Sequence, residues 1–269
     1  MTENIKGIQF YKEEVKLSIY ADDLTAFMND EESASVLLTE IKRFTEVSGL
    51  AINMSKTEAM WLGSYRGRRY KPLGVKWKDV IKITGVFFTE DDTMRIDLNY
   101  DNVVCSIENM CSLMKARGLT YFGKMLIIKT CCVSKLNFIS NMVPLPKHVI
   151  KKVNCILYNF LWNSKTDKMK RSSIIAPIDR GGLKMPDLEC KYQTQNIMWW
   201  KRYLSNSHHP WKNSISRVIN KLGGVSILNN SIHQDAIKRT SNAFIVDMLT
   251  AWNSFVTYLD IDLPNNSLW

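Results

Sequence analysis

The sequence predicts an α+β fold, and three observations predict it. Short β-forming runs separated by polar turns fill the first hundred residues, and the apolar period then changes to a helical one. Charge divides along the same line. Residues 1–114 carry 14 Lys/Arg against 18 Asp/Glu, residues 115–202 carry 17 against 4, and residues 203–269 carry 5 against 4. The formal net charge of +10 is therefore concentrated in the middle of the chain. Such a balance suits a polyanionic partner, a nucleic acid or an anionic membrane surface. With 269 residues, 45% of them apolar, the chain is long enough for one good core or two small ones.

The elements follow in order. Ile8–Tyr11 and Val15–Tyr20, separated by Lys12-Glu13-Glu14, have the grammar of a hairpin, and Leu24–Met28 is a third apolar run. Asn29-Asp30 offers a helix cap, Val36, Leu37, Ile41 and Phe44 recur at helical spacing, and Gly49 is a stop. Leu50–Asn53 and Thr57–Leu62 read as strands, followed by a basic, glycine-containing loop (Gly63–Lys71) and a strand over Val80–Phe88. Tyr100–Val143 is helical with a break at Gly118, ended by Pro144 and Pro146. Val149, Val153, Ile156, Leu157, Phe160 and Leu161 stripe the next helix, and a polar, basic loop (163–171) follows. Gly181–Leu188 is a turn-rich connector into a helix around Trp199-Trp200, and His208-His209 reads as a loop.

The six cysteines have no zinc-like spacing and lie mostly in apolar helical patterns, which predicts reduced, buried thiols. No apolar run reaches the ~20 residues a membrane span requires, and the N-terminus lacks a signal-like core, so a cytoplasmic or nuclear location without membrane partners is expected.

Asp22-Asp23 is the candidate site. Adjacent carboxylates repel unless a cation lies between them, and hard oxygens suit Mg²⁺, with Mn²⁺ as the alternative. With a third carboxylate the pair can hold two metals for in-line phosphoryl transfer. Taken alone, Asp-Asp is also an ordinary polar turn. Here it follows one apolar run and precedes another, which predicts a tip between two buried strands.

Tyr20-Ala21-Asp22-Asp23 resembles the Y-A-D-D box of reverse transcriptases, especially those of non-LTR (LINE-type) retrotransposons. Ser48–Glu58 resembles the next palm motif of that family, in which the lysine matched by Lys56 lies near the incoming nucleotide and is placed to protonate the leaving pyrophosphate. Ile83–Phe88 looks like the primer-grip hairpin, with Gly85 letting the backbone approach the primer end; a glycine here also fits a bulge. Arg117–Lys124 and Ile127–Thr130 resemble the thumb, and Phe160–Asn163 and Gly181–Asp187 the region beyond it.

The resemblance implies a partial palm over 1–98 (antiparallel sheet plus helix), a helical thumb over 99–162 and a helical C-terminal extension over 163–269. Implied partners are an RNA template and a DNA primer, with a deoxynucleotide in the parent enzyme. Asp22 and Asp23 are the expected metal ligands and, with Lys56, the catalytic candidates. Tyr20, Gly85, Lys124, Lys129 and Lys135 are the expected nucleic-acid contacts. Lys124 and Lys135, 11 residues apart, fall about three helical turns apart and near one face. Trp199, Trp200 and Tyr192 suit base stacking, but core packing better.

The family's site needs another aspartate upstream of the box, and none of the 19 residues before Tyr20 is one. The expectation is a fragment of an RNA-directed DNA polymerase, silent unless a carboxylate from elsewhere completes the site. The alternative is a non-catalytic module that grips RNA or an RNA–DNA hybrid. An exposed sheet edge with apolar surface, and hence poor solubility, is also expected.

Overall fold

A computed structural model describes residues 5–10, 13–229 and 232–259. The architecture is α+β: small sheets come first and helices dominate the rest. The chain forms two compact units, Met1–Arg95 with Ser207–Arg217, and Ile96–Asn206 with Val218–Trp269.

Among the described residues, the first unit holds four two-stranded sheets. β1 (Ile8–Phe10) pairs antiparallel with β2 (Glu13–Val15), in register Ile8 with Val15. The turn between them, residues 11–12, lies outside the described residues. The run expected to continue to Tyr20 breaks at Lys16. Its distal half, β3 (Leu17–Tyr20), pairs forward with β4 (Asp23–Ala26).

α1 (Glu31–Ser48) begins where a cap was expected: Asp30 Oδ1 accepts from Ser33 N–H at 2.7 Å. Glu31 and Glu32 in its first turn face the positive end of the helix dipole. Gly49, at φ 72°, ends it by donating its N–H to Thr45 O at 2.9 Å.

Leu50–Asn53 is not a strand. Asn53 Oδ1 accepts from the N–H groups of Ser55 and Lys56, so the side chain builds a turn that competes with any ladder. The next expected strand shrinks to β5 (Glu58–Ala59), which pairs parallel with β6 (Lys76–Trp77). Val80–Phe88 is not one strand but a hairpin, β7 (Ile81–Ile83) and β8 (Val86–Phe88).

The second unit is helical. α2 (Asp92–Lys115) ends before Gly118, whose φ of 58° makes the expected break. Thr120 Oγ1 then caps α3 (Tyr121–Ile127). The helix runs on through a π-helical turn (Ile128–Val133) into α4 (Ser134–Ser140). After the Pro144 and Pro146 turn come α5 (Lys147–Trp162), α6 (Arg171–Ile175) and α7 (Leu188–Leu204). α8 (Trp211–Lys221), α9 (Gln234–Lys238) and α10 (Ala243–Leu259) complete the described helices.

The striped face of α5 is buried as its spacing requires at Val149, Val153, Leu157, Phe160 and Leu161, which are all in the core, while Ile156 is half-buried at its margin. α7 and α10 meet through indoles. Trp200 Nε1 donates to Met248 O at 2.9 Å and Trp252 Nε1 to Leu228 O at 3.1 Å, so both rings are buried without an unpaired N–H.

The connector before α7 is built on close backbone approach. Leu183 and Met185 donate their N–H groups to Ile174 O, and Lys184 donates to Ala176 O. A β-carbon at Gly182 would lie 2.0 Å from Ala176 O, which leaves room for glycine alone.

Core is distributed unevenly. Among the described residues, the buried apolar side chains of the first unit are Ile5, Val86 and Ile215, whereas the second unit buries the great majority. At roughly 1.5–3 kcal/mol for each large apolar side chain buried, the second unit carries most of the hydrophobic stabilisation.

Two expectations about burial are corrected. All six cysteines are free, but only Cys111 and Cys132 are buried; Cys105, Cys155 and Cys190 are exposed and Cys131 is half-buried. They sit on the outward side of helices whose apolar pattern is wider than the buried face. The β3–β4 strands are also not buried: Ile19 is 67% exposed and Leu17 and Leu24 are exposed. Among the described residues the two strands pair only with each other, which leaves the apolar surface and free edge that the sequence led one to expect.

Candidate functional site: the carboxylate hairpin and its neighbours

Tyr20 lies opposite Asp23 in the register of β3 and β4, which places Ala21 and Asp22 at the turn. Ala21 takes φ 50°, the left-handed conformation a two-residue hairpin turn demands at its first central position. The hairpin therefore lifts Asp22 to its apex and starts the returning strand with Asp23. Both carboxylates are exposed, as is Tyr20 at 72%. Two adjacent, solvent-facing carboxylates can attract a divalent cation.

The donors present do not complete a metal site. Among the described residues no group of three His, Cys, Asp or Glu side chains is placed to hold a metal ion. A two-metal arrangement requires at least one more carboxylate than this hairpin supplies.

Lys56 is exposed in the turn built by Asn53, its N–H bonded to Asn53 O at 3.0 Å. Gly85 is neither a bulge nor a strand residue. Ile83 pairs with Val86, and Thr84 and Gly85 take φ 46° and 91°, both positive, as a type I′ turn requires.

Lys124, Lys129 and Lys135 are not one solvent-facing row. Lys124 is buried, its Nζ donating to Leu161 O and to Asn163 Oδ1, both at 3.0 Å, and lying 5.6 Å from the Phe160 ring. Burial lowers its pKa, with smaller contributions from the charges of Lys115 and Lys168. Lys135 is half-buried and donates to Ser106 Oγ at 2.6 Å, and Lys129 is half-buried. The π-helical turn between Lys124 and Lys135 alters the helical register, so spacing by 3.6 residues per turn fails across it.

Trp200 is a core residue, and Tyr192 is half-buried. Tyr192 donates from its hydroxyl to Asp247 Oδ2 at 2.6 Å and accepts from Leu145 N–H at 3.1 Å. Trp199 packs edge-on against Phe244, with Arg202 over its ring at 4.5 Å. His208 joins Glu13 at 3.1 Å, and Asn213 donates to the same carboxylate at 2.8 Å.

Sequence reasoning missed Asp247 and Asn163 as partners. Asp247 is the one charged residue in α10, and a lone acid in a mostly apolar helix is the signal that marks a partnered carboxylate.

A family model for reverse transcriptase (RNA-dependent DNA polymerase) matches residues 1–88. The matched segment contains the carboxylate hairpin, the Lys56 turn and the Thr84-Gly85 hairpin. The match supports a reverse-transcriptase domain over that segment, and such domains in general act on a nucleic-acid template and primer with divalent metal ions. Among the described residues, no helix is long and apolar enough to cross a membrane.

Proposed function

We propose that the chain is a palm-and-thumb portion of a non-LTR retrotransposon reverse transcriptase that binds an RNA template with its DNA primer. Its domains are the palm portion over 1–98, the thumb over 99–162 and a helical extension over 163–269. The observation that carries this reading is the Tyr20–Asp23 hairpin, an exposed two-carboxylate apex inside the segment matched to reverse transcriptase.

In this reading Asp22 and Asp23 are metal ligands for Mg²⁺, or Mn²⁺, once a further carboxylate from outside the described set joins them. Lys56 serves the leaving group, Tyr20 and Gly85 lie along the primer, and Lys129 and Lys135 approach phosphates. The excess of 17 Lys/Arg over 4 Asp/Glu across residues 115–202 supports sequence-independent phosphate binding. Lys124 contributes by tying α3 to the end of α5. By itself the chain grips the template–primer without extending it.

A labelled DNA primer annealed to RNA, with deoxynucleotides and Mg²⁺ or Mn²⁺, tests both halves. A bound, unextended primer is expected. Extension abolished by Asp22→Asn would overturn the claim of silence, and absence of binding would overturn the claim of partnership.

A further inference from the structure

The net acidity of the first 114 residues conceals a basic island. Residues 63–78 contain Arg66, Arg68, Arg69, Lys71, Lys76 and Lys78 and no acid. Three of these cations are neutralised within the unit: Arg66 by Glu90 at 3.2 Å, Arg68 by Glu31 at 3.5 Å, and Lys78 by Glu58. Arg69 and Lys71 are exposed and, among the described residues, have no carboxylate within ion-pair distance. Between them Tyr70 is 64% exposed.

This tip is held rather than loose. Trp61 stacks on Trp77 at 4.1 Å and on Tyr65 at 5.7 Å, and the Arg68 guanidinium lies 4.1 Å from the Tyr65 ring centre. Both indoles then pin the loop backbone: Trp61 Nε1 donates to Tyr70 O at 3.2 Å and Trp77 Nε1 to Pro72 O at 2.8 Å. An aromatic column fixed at the base thus presents one outward ring flanked by two unneutralised cations.

We propose that Arg69, Tyr70 and Lys71 form a contact site for unpaired nucleotides of a nucleic-acid strand, with a base stacked on Tyr70 and flanking phosphates held by Arg69 and Lys71. A ring face is open to a base only when that base is unpaired, so a single strand fits and a blunt duplex does not. A membrane fits less well, because the tip offers one exposed ring, with the neighbouring Pro72 and Leu73 half-buried, too little apolar area to insert. The choice of a nucleic acid as the polyanion rests on the function proposed above; the geometry of the site does not.

The experiment is fluorescence anisotropy of the full chain with a labelled single-stranded oligoadenylate and, in parallel, a blunt RNA–DNA hybrid. Tyr70→Ala is expected to weaken oligoadenylate binding roughly 5- to 150-fold and Tyr70→Phe to retain it, while hybrid binding is unchanged. Replacing Arg69 and Lys71 by Gln is expected to reduce the salt slope by about 1.4 for the single strand. Equal losses on both nucleic acids, or no loss with Tyr70→Ala, would overturn the proposal. So would a Tyr70-dependent affinity for phosphatidylserine vesicles without one for the oligoadenylate. A chain that ignores the hybrid yet binds the oligoadenylate through Tyr70 strikes the function proposed above and leaves this site standing.

Discussion

Lys124 Nζ donates to Asn163 Oδ1 at 3.0 Å across 39 residues of sequence, and to Leu161 O at the same distance. The ammonium thus closes the C-terminal end of α5, where backbone carbonyls lack helical partners and the dipole favours a cation. Asn163 adopts φ 52° to end that helix. Lys124, expected to contact phosphate, ties two helices together.

Lys124→Met should therefore act on stability. It keeps the apolar stem but leaves Leu161 O unpaired in the core, at a cost of about 1–3 kcal/mol. Denaturant unfolding should show that loss, and the salt slope of hybrid binding should be unchanged. A slope reduced by about 0.9 with stability intact would return Lys124 to the phosphate backbone.

Asp247 predicts a pH dependence. Burial raises its carboxyl pKa, and the Tyr192 hydroxyl that donates to it offsets part of the rise. The folded state then holds this proton more tightly than the unfolded chain, in which the pKa is about 3.9. Its contribution is fully present below that value and is lost as pH rises through the higher folded pKa. Asp247→Asn keeps an acceptor for Tyr192 without an ionisable group, so its melting temperature should decline less over that window. Parallel pH profiles for the two proteins would refute this.

The Thr84-Gly85 turn sets a conflict between sequence and backbone. A β-branched residue at φ 46° is strained by roughly 1–2 kcal/mol, whereas asparagine tolerates that conformation. Thr84→Asn should raise the stability of the hairpin, read as slower amide exchange at Val86 and Phe88, the hydrogen-bonded positions of the ladder. Faster exchange would mean that the Thr84 side chain supports the turn in some other way.

Where local chemistry decides structure, the sequence was legible. Asp30 and Gly49 bound α1 as their side-chain and backbone preferences require, and the Val149 to Leu161 stripe is buried. The hairpin that carries Asp22 and Asp23 was readable from its flanking runs, but not its exposure, because burial depends on what packs over a sheet. Leu50–Asn53 was misread because an Asn side chain can replace a ladder partner. The lysine row failed because a π-helical turn interrupts the 3.6-residue period on which it was counted. Lys124 with Asn163 and Tyr192 with Asp247 are pairings across long sequence separations, and no local pattern announces them.

The most direct measurement is equilibrium binding of a recessed RNA–DNA template–primer to the full chain across a range of salt concentrations. With 17 cations against 4 acids over residues 115–202, log affinity should fall linearly and steeply as log salt rises, by about 0.7–0.9 per phosphate neutralised. A flat salt response, or no binding at low salt, would contradict the account.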